Sequence, residues 1–505
     1  MLSFSSIIKN NLPIGPANIK KRNVNEILNN YSNETDSCSI IDKILNFEIN
    51  YNIIEKNVYR DLEIFEGLEN KDDSIFNIID KSTTLIGKLY LRNIINNPTD
   101  NLEILKKRQN ILHKIDDNLY KSIKNKLDTI KELEKDIIWI LRNKTSEENK
   151  LIDSVYFNNQ FLQILNHNDD ILTIYSLFKI LFAPIYGVIS PLVFFLLPYL
   201  YIQFFTSVKF DFNLYVKIFK MSIFGGFNLF NSGNSAKANL SKYFSIGISI
   251  IIYVQNLMNT IDISKNTHKI INSLHTKLNK LNNFTTICHE LFKETQEIFK
   301  RNKVEIFSNE IQDETFKTEP SLLSNKGKIL RVYRNISNVN SENSENSENS
   351  DNSDNSDNSE TKTNEINNDI NNNLNNTRYK EYFEYLGEID MYMSILGLVK
   401  EYKNNNHKIC YSKYLEQRLP CINVKNIWHP SLIDHKIVHN NINVGMDNPN
   451  NLILTGPNAG GKSTFIKSIS ISLLLSQTFG IALASKFEFT PFTLINTYLN
   501  IPDCK

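Results

Sequence analysis

Over residues 101–143 apolar side chains recur three and four apart, at Leu102, Ile104, Leu105, Ile111, Leu112, Leu127, Ile130, Leu133, Ile137, Ile138 and Ile140. Residues 266–311 repeat the pattern with Ile270, Leu274, Leu278, Leu281, Ile287, Leu291 and Phe292. Charges fill the other faces. Such spacing predicts long amphipathic helices, open to coiled-coil pairing, whose stripes are core rather than a cofactor site.

Two stretches break the pattern. Residues 180–205, ILFAPIYGVISPLVFFLLPYLYIQFF, run for 26 residues without a charge. About 20 are needed to cross a bilayer. Tyr186, Tyr199 and Tyr201 suit membrane interfaces, and Pro184, Pro191 and Pro198 are expected to kink a helix or split it into a re-entrant hairpin. A second, weaker stretch is residues 243–258, YFSIGISIIIYVQNLM. A membrane contact through 180–206 and 243–258 is therefore expected, against the alternative of a buried helical hairpin or an in-plane insertion. Two crossings would return the chain to its starting side. The intervening Lys209, Lys217, Lys220, Lys237 and Lys242 face only Asp211, which fits poorly with a translocated loop.

Residues 341–360 read SENSENSENSDNSDNSDNSE, a three-residue repeat with seven carboxylates and no apolar side chain. It cannot bury enough surface to offset ordering entropy, so a flexible tether is expected, with helical pattern resuming at Tyr379. Near the end, residues 451–455 form a short apolar run that predicts a buried strand. Gly456-Pro457-Asn458-Ala459-Gly460-Gly461-Lys462-Ser463 follows, fitting G-x-x-x-x-G-K-[ST], and then Phe465, Ile466, Ile469 and Leu473 lie at helical spacing. Strand, glycine loop and helix in that order are what a phosphate loop needs. Glycines let successive N–H groups turn toward the phosphates, and the helix N-terminus adds partial positive charge. Lys462 is placed to reach the β and γ phosphates and Ser463 to offer its hydroxyl to Mg²⁺.

Composition narrows the reading little. The chain has 505 residues, enough for several domains. A net charge of +1 with 22% charged residues advertises no global affinity for nucleic acid, so any DNA contact needs a local patch. Cys38, Cys288, Cys410, Cys421 and Cys504 form no C-x-x-C; reduced thiols in an intracellular protein are expected, and no metal or disulfide framework. The first residues, MLSFSSIIKNNLPIG, lack a signal-peptide pattern.

The wording GPNAGGKST resembles the MutS family of DNA mismatch-repair ATPases. So do four flanking stretches: NIWHPSL (426–432), IVHNNINVG (437–445), YLGEIDMYMSILGL (385–398), and the pair YRDLEIFEG (59–67) with STTLIGKLYLRNIINNPTDNLEILKKRQNIL (82–112). Gly87, Leu91, Pro98, Arg108, Gln109, Asp390 and Ser394 fall on the family's pattern. The resemblance implies a multidomain chain: a mainly α-helical core with long lever helices, followed by an incomplete α/β phosphate-loop NTPase domain. The expected divisions are a leader (1–55), first core part (56–170), apolar membrane-embedded insert (171–259), lever helix (260–330), Asn/Ser/acidic disordered linker (331–377), returning core (378–425) and a partial ATPase domain (426–505).

The resemblance further implies ATP and Mg²⁺ as cofactors, a dimer, and duplex or branched DNA as partner, with nucleotide driving levers around the DNA. Gly456, Pro457, Asn458, Ala459, Gly460, Gly461, Lys462, Ser463 and Thr464 would hold the triphosphate, with Ser463 on the metal. Ile437 and Val438 fall where the family packs against adenine, ordinary core being the even alternative. His429 and Pro430 are expected to shape the domain entry rather than to catalyse.

The departures count too. Neither an acidic strand end for Mg²⁺ and water nor a serine-rich signature is visible after Ser463, so the chain is expected to be a fragment, or else an ATP binder that hydrolyses poorly. A mismatch-reading domain has no room in 1–55, and Phe292-Lys293-Glu294 sits inside a helical stripe, so base-stack insertion is not expected. Two readings remain: a MutS-like ATPase of DNA repair or recombination, and a membrane-anchored relative using the same ATP-driven change without mismatch recognition. An ABC transporter is disfavoured, since two spans are few and the lever has no place in it.

Overall fold

The computed structural model describes residues 23–48, 53–67, 73–206, 211–225, 236–300, 325–341, 359–417, 419–433, 437–446, 448–457 and 460–499. It is mainly helical with few strands, and divides into two compact units. The first takes in Met1–Asn30, Asn143–Leu278 and Glu314–Asn335; the second takes in Tyr31–Arg142, Asn279–Asp313 and Ile336–Lys505.

In the first unit Asn168 caps the helix Asp169–Leu177, its side chain accepting from the N–H groups of Asp170 and Ile171. The helix continues through a π turn, Phe178–Phe182, into Ala183–Phe205. Pro191 and Pro198 lie inside that last segment, so the expected split into a re-entrant hairpin does not occur. The π turn provides slack just ahead of Pro184. The helix Phe212–Gly225 follows, and the helix Ala236–Phe299 returns. The start of the helix Lys326–Ser341 packs on Asp169: Arg331 pairs with the Asp169 carboxylate, and Gly327 N–H donates to Thr173 Oγ1 at 2.9 Å. A Cβ on Gly327 would lie 1.8 Å from the Asp169 carbonyl, so only glycine permits this approach.

The sequence places residues from 331 onward in a disordered linker, but Ile329, Leu330, Val332, Tyr333 and Ile336 make a buried stripe on the helix Lys326–Ser341. The acidic repeat is flanked by apolar spacing that the polar composition masks. Most of the repeat, 342–358, lies outside the described residues, as do 301–311 of the second stripe.

In the second unit the stripes bury as helical spacing requires, with local differences. Residues 101–143 form two helices, Leu102–Lys114 and Asp117–Leu141, the second capped by Asp116. Leu105, Ile111, Leu112, Leu127, Ile130, Ile137, Ile138 and Ile140 are buried, but Ile104 is 41% exposed. Further on, Cys288 rather than Ile287 is buried beside Phe284, Leu291 and Phe292. Those rings pack along the helix Ser359–Asn404: Phe284 with Phe383 at 6.3 Å, Phe292 with Tyr385 at 5.6 Å, Phe299 with Tyr392 at 5.6 Å between centroids. Phe292 is thus core.

The strands are β1 (Cys410–Tyr411), β2 (Lys413–Tyr414), β3 (Ile422–Ile427), β4 (Asn440–Val444), β5 (Ile481–Ala482) and β6 (Lys486–Phe489). Four make one sheet in the order β2-β6-β3-β4, while β1 pairs with β5. Only β2 and β6 are parallel; β6–β3 and β3–β4 are antiparallel. The buried strand expected at 451–455 is not formed: these residues lie outside every strand, and Ile453 is 88% exposed. A central strand needs neighbouring backbones on both sides to satisfy its N–H and C=O groups, and among the described residues none pairs with this run.

Candidate functional site

The helix Lys462–Thr478 begins where the glycine loop ends. Gly461 is its N-cap at φ 78°, a left-handed conformation that favours glycine. Gly460 N–H donates to Pro457 O at 3.1 Å, and a Cβ on Gly460 would sit 2.9 Å from that oxygen. Lys462 Nζ turns back over the loop and donates to Gly456 O at 2.8 Å and Pro457 O at 2.6 Å. Ser463 is exposed in the first turn, and Thr464 is half-buried with its carbonyl accepting from Ser468 Oγ. Asn458 and Ala459 lie outside the described residues.

The loop therefore curls around a lysine ammonium at the positive end of a helix, with open space at Gly461. That arrangement suits a phosphate, whose oxygens would take over the ammonium from the two carbonyls. Ile437 is half-buried and Val438 is 65% exposed just ahead of β4, so Val438 is not ordinary core. No cluster of three His, Cys, Asp or Glu side chains able to hold a metal occurs among the described residues.

The far end of the same helix is held by the core. Arg108 Nη1 donates to Thr478 O at 2.7 Å, a cation on the negative end of the helix. Gln109 Nε2 donates to Gly480 O at 2.7 Å and to Ser412 O at 2.8 Å. Gly480 has φ 76°, and a Cβ there would meet Gln109 Cγ at 2.3 Å. Gln477 trades hydrogen bonds with Thr99: Thr99 N–H donates to Gln477 O at 3.0 Å, and Gln477 Nε2 donates to Thr99 O at 3.2 Å. Arg108 and Gln109 are visible in the sequence as pattern residues. Gln477 and Thr478 are not: Thr478 acts through its backbone carbonyl, which leaves no signature, and the partner of the Gln477 amide is 378 positions away in sequence.

Midway along the helix, Lys467 pairs with Glu63 beside His429. His429 is pushed down to about 4, chiefly by burial and then by the Lys467 charge, with Glu63 opposing. Its Nδ1 accepts from Ser431 N–H at 3.3 Å at the start of the 3-10 turn Pro430–Leu432. His429 is thus a buried imidazole that caps the turn Pro430–Leu432.

The third element is the returning helix of the core. Asp390, fully buried on the helix Ser359–Asn404, accepts from Thr83 N–H at 3.0 Å, Thr84 N–H at 2.7 Å and Thr84 Oγ1 at 2.7 Å. Burial pushes its carboxyl up, and these donors pull it back. Thr84 Oγ1 in turn caps the helix Leu85–Asn96 by accepting from Gly87 N–H at 3.0 Å. Gly87 faces Asp390 so closely that a Cβ would fall 2.1 Å from its Oδ2. Lys81 N–H donates to Ser394 Oγ at 2.8 Å. Glu134 accepts from the N–H groups of Leu85 and Ile86, in the first turn of that helix, at 3.0 and 3.1 Å, and burial nevertheless raises it to about 7.

A glycine-loop helix whose far end is clamped to a helical core, itself keyed to the long helix Ser359–Asn404, defines a mainly helical protein with a small mixed sheet. Residues 57–179 match MutS domain III. Similar curated proteins are Endonuclease MutS2 of Clostridioides difficile (31% identical over 120 residues, 24% of this chain and 14% of that protein), the DNA mismatch repair protein MutS of Clostridium novyi (30% over 148 residues, 26% and 16%), and the DNA mismatch repair protein MSH3 of Eremothecium gossypii (32% over 85 residues, 16% and 8%). Over these stretches the chain is similar to MutS-family proteins, and each match spans less than a fifth of the relative's length.

Proposed function

We propose that the chain binds ATP at residues 456–464 and converts occupancy into movement of the lever helix, in a DNA mismatch-repair or recombination process. The observation that carries this is the clamp of Arg108 and Gln109 on the end of the Lys462–Thr478 helix. Seventeen residues make a rod of roughly 25 Å, so a shift at its loop end reaches Thr478, then the helix Leu102–Lys114. The backbone N–H groups of the loop and Lys462 hold the phosphates, with Asn458 and Ala459 belonging to the same loop by sequence. Ile437 and Val438 flank the adenine. When bound, Mg²⁺ neutralises phosphate charge, with Ser463 Oγ as its ligand from this chain. The names of the relatives support DNA repair as the setting; a dimer as the working form, duplex or branched DNA as the partner and a place inside the cell rest on the family resemblance.

Lys462→Ala is expected to weaken ATP binding at least tenfold, about 1.4 kcal/mol or more, while circular dichroism stays unchanged. Unaltered affinity in a folded variant contradicts the site. For DNA, affinity measured across salt concentrations should fall with a log–log slope set by phosphate contacts, yet remain tighter for the preferred structure than for plain duplex. No binding to homoduplex, mismatched or branched DNA favours the second reading, a membrane-anchored relative that uses the nucleotide-driven change elsewhere. The apolar surface of Ala183–Phe205, none of it buried, favours that reading.

A further inference from the structure

We infer that the insert crosses a lipid bilayer as an antiparallel helical pair whose proline-opened carbonyls are closed by hydroxyls from neighbouring helices. This deepens the membrane-anchored reading and rests on it. A proline has no N–H, so the carbonyl four residues earlier loses its helical donor. In water that carbonyl is hydrated; in hydrocarbon it must find a protein partner.

The insert supplies partners for the opened carbonyl at two of its three prolines, and for the neighbouring carbonyl at the third. Pro184 opens Ile180 O, which accepts from Ser264 Oγ at 2.6 Å. Pro191 opens Gly187 O, which accepts from Tyr253 Oη at 2.9 Å and Ser190 Oγ at 3.0 Å. At Pro198 the adjoining carbonyl of Phe195 accepts from Tyr215 Oη at 2.6 Å. Tyr253 and Ser264 sit on the returning helix, and the order 180 with 264 and 187 with 253 makes the pair antiparallel. Gly187 allows the close approach, since a Cβ there would lie 3.2 Å from Leu257 Cδ1. Small residues at helix contacts are the membrane habit.

The outer surface fits hydrocarbon rather than a protein groove. Val188, Ile189, Leu192, Phe194 and Leu197 are 43–70% exposed, and at 3.6 residues per turn they cover about two thirds of the circumference, leaving the face of Gly187, Pro191 and Phe195 to the neighbouring helices. A docking helix exposes one narrow face; the outer helix of a pair in lipid exposes all but the face it turns to its partners. The segment Ala183–Phe205 has 23 residues, roughly 34 Å of helix, against a core of about 30 Å. Charges bracket the pair at one end: Lys179 beside Ile180, Asp262 and Lys265 beside Ser264. Between the spans, Phe212–Gly225 turns Tyr215 and Phe219 onto Phe195, leaves Leu214, Ile218 and Met221 exposed, and groups Lys217 and Lys220 on a narrow polar arc. That is the make-up of a helix lying in the headgroup plane.

The test is synthesis of the full chain in the presence of phosphatidylcholine vesicles, then flotation and alkaline carbonate washing. Most of the chain is expected to float and resist the wash, and Leu192→Arg with Ile251→Arg to lose most of that fraction. Release by carbonate, or recovery as a soluble dimer without vesicles, overturns the inference; the dimer would assign the apolar surface to a second copy. A double-mutant cycle reads the latch itself in vesicles. Tyr253→Phe should lower the unfolding midpoint, and should lower it much less in a Pro191→Ala background, where the substituted residue's backbone N–H restores the donor to Gly187 O. Equal effects in both backgrounds refute the carbonyl closure. Lys462→Ala should float like the parent chain, so loss of nucleotide binding and loss of membrane insertion are separable.

Discussion

At the scale of single residues, close contacts explain why particular types stand where they do. Gly87 and Asp390 are one feature: the carboxylate occupies the volume a side chain at 87 would need, and its oxygens satisfy the N–H groups of Thr83 and Thr84. Gly87→Ala should therefore cost about 1–3 kcal/mol by overpacking, read as a lowered urea midpoint. Asp390→Asn should cost a similar about 1–3 kcal/mol, since an amide NH₂ would confront donors. A change within error in both variants would contradict the packing. His429 has a linked pH dependence. Its folded value, about 4, lies below the ordinary 6.5, so between the two the unfolded chain takes up a proton that the folded chain refuses. Its contribution is complete above 6.5 and is lost as pH falls toward 4, at up to about 1.4 kcal/mol per pH unit. Glu134, raised to about 7 from 4.5, acts in the opposite sense and loses its contribution as pH rises through that window. Histidine NMR separates them: the His429 ring should not titrate until well below pH 6.5, and an ordinary titration there would refute its burial.

At the scale of elements, what could be read in advance is what depends on local spacing. The amphipathic stripes announce themselves because helical period puts Ile130 and Ile137 on one face whatever surrounds them. The glycine loop is legible because left-handed Gly461 and Lys462 are local requirements. What escapes is set by neighbours distant in sequence. The run at 451–455 has strand composition but, among the described residues, no strand beside it. Ile104 belongs to a stripe and still faces solvent, and the Glu63–Lys467 pair spans 404 positions. The prolines in the insert show the same limit: composition allows a split, while the helix Ala183–Phe205 runs through Pro191 and Pro198, with Ser264 and Tyr253 bonding the carbonyls of Ile180 and Gly187. Arg108 sits between the kinds, visible as a pattern residue but intelligible only once Thr478 O is placed before it. Arg108→Ala should lower the midpoint of thermal unfolding, by a loss of about 1.5–3 kcal/mol typical of a charged hydrogen bond, and Arg108→Lys should restore only part of it. An unshifted midpoint in Arg108→Ala would show the clamp to be idle.

At the scale of the whole molecule, the second unit contains loop, clamp and the helix Ser359–Asn404 in one continuous path, and coupling along it is the central claim. The most direct measurement is amide hydrogen exchange at residues 385–398, with and without ATP and magnesium, in the full chain and in Arg108→Ala. Nucleotide should change exchange there in the parent chain, and that change should largely vanish in Arg108→Ala although the variant still binds ATP. An undiminished response in Arg108→Ala, or no response in a parent chain shown to be saturated with nucleotide, would contradict the claim.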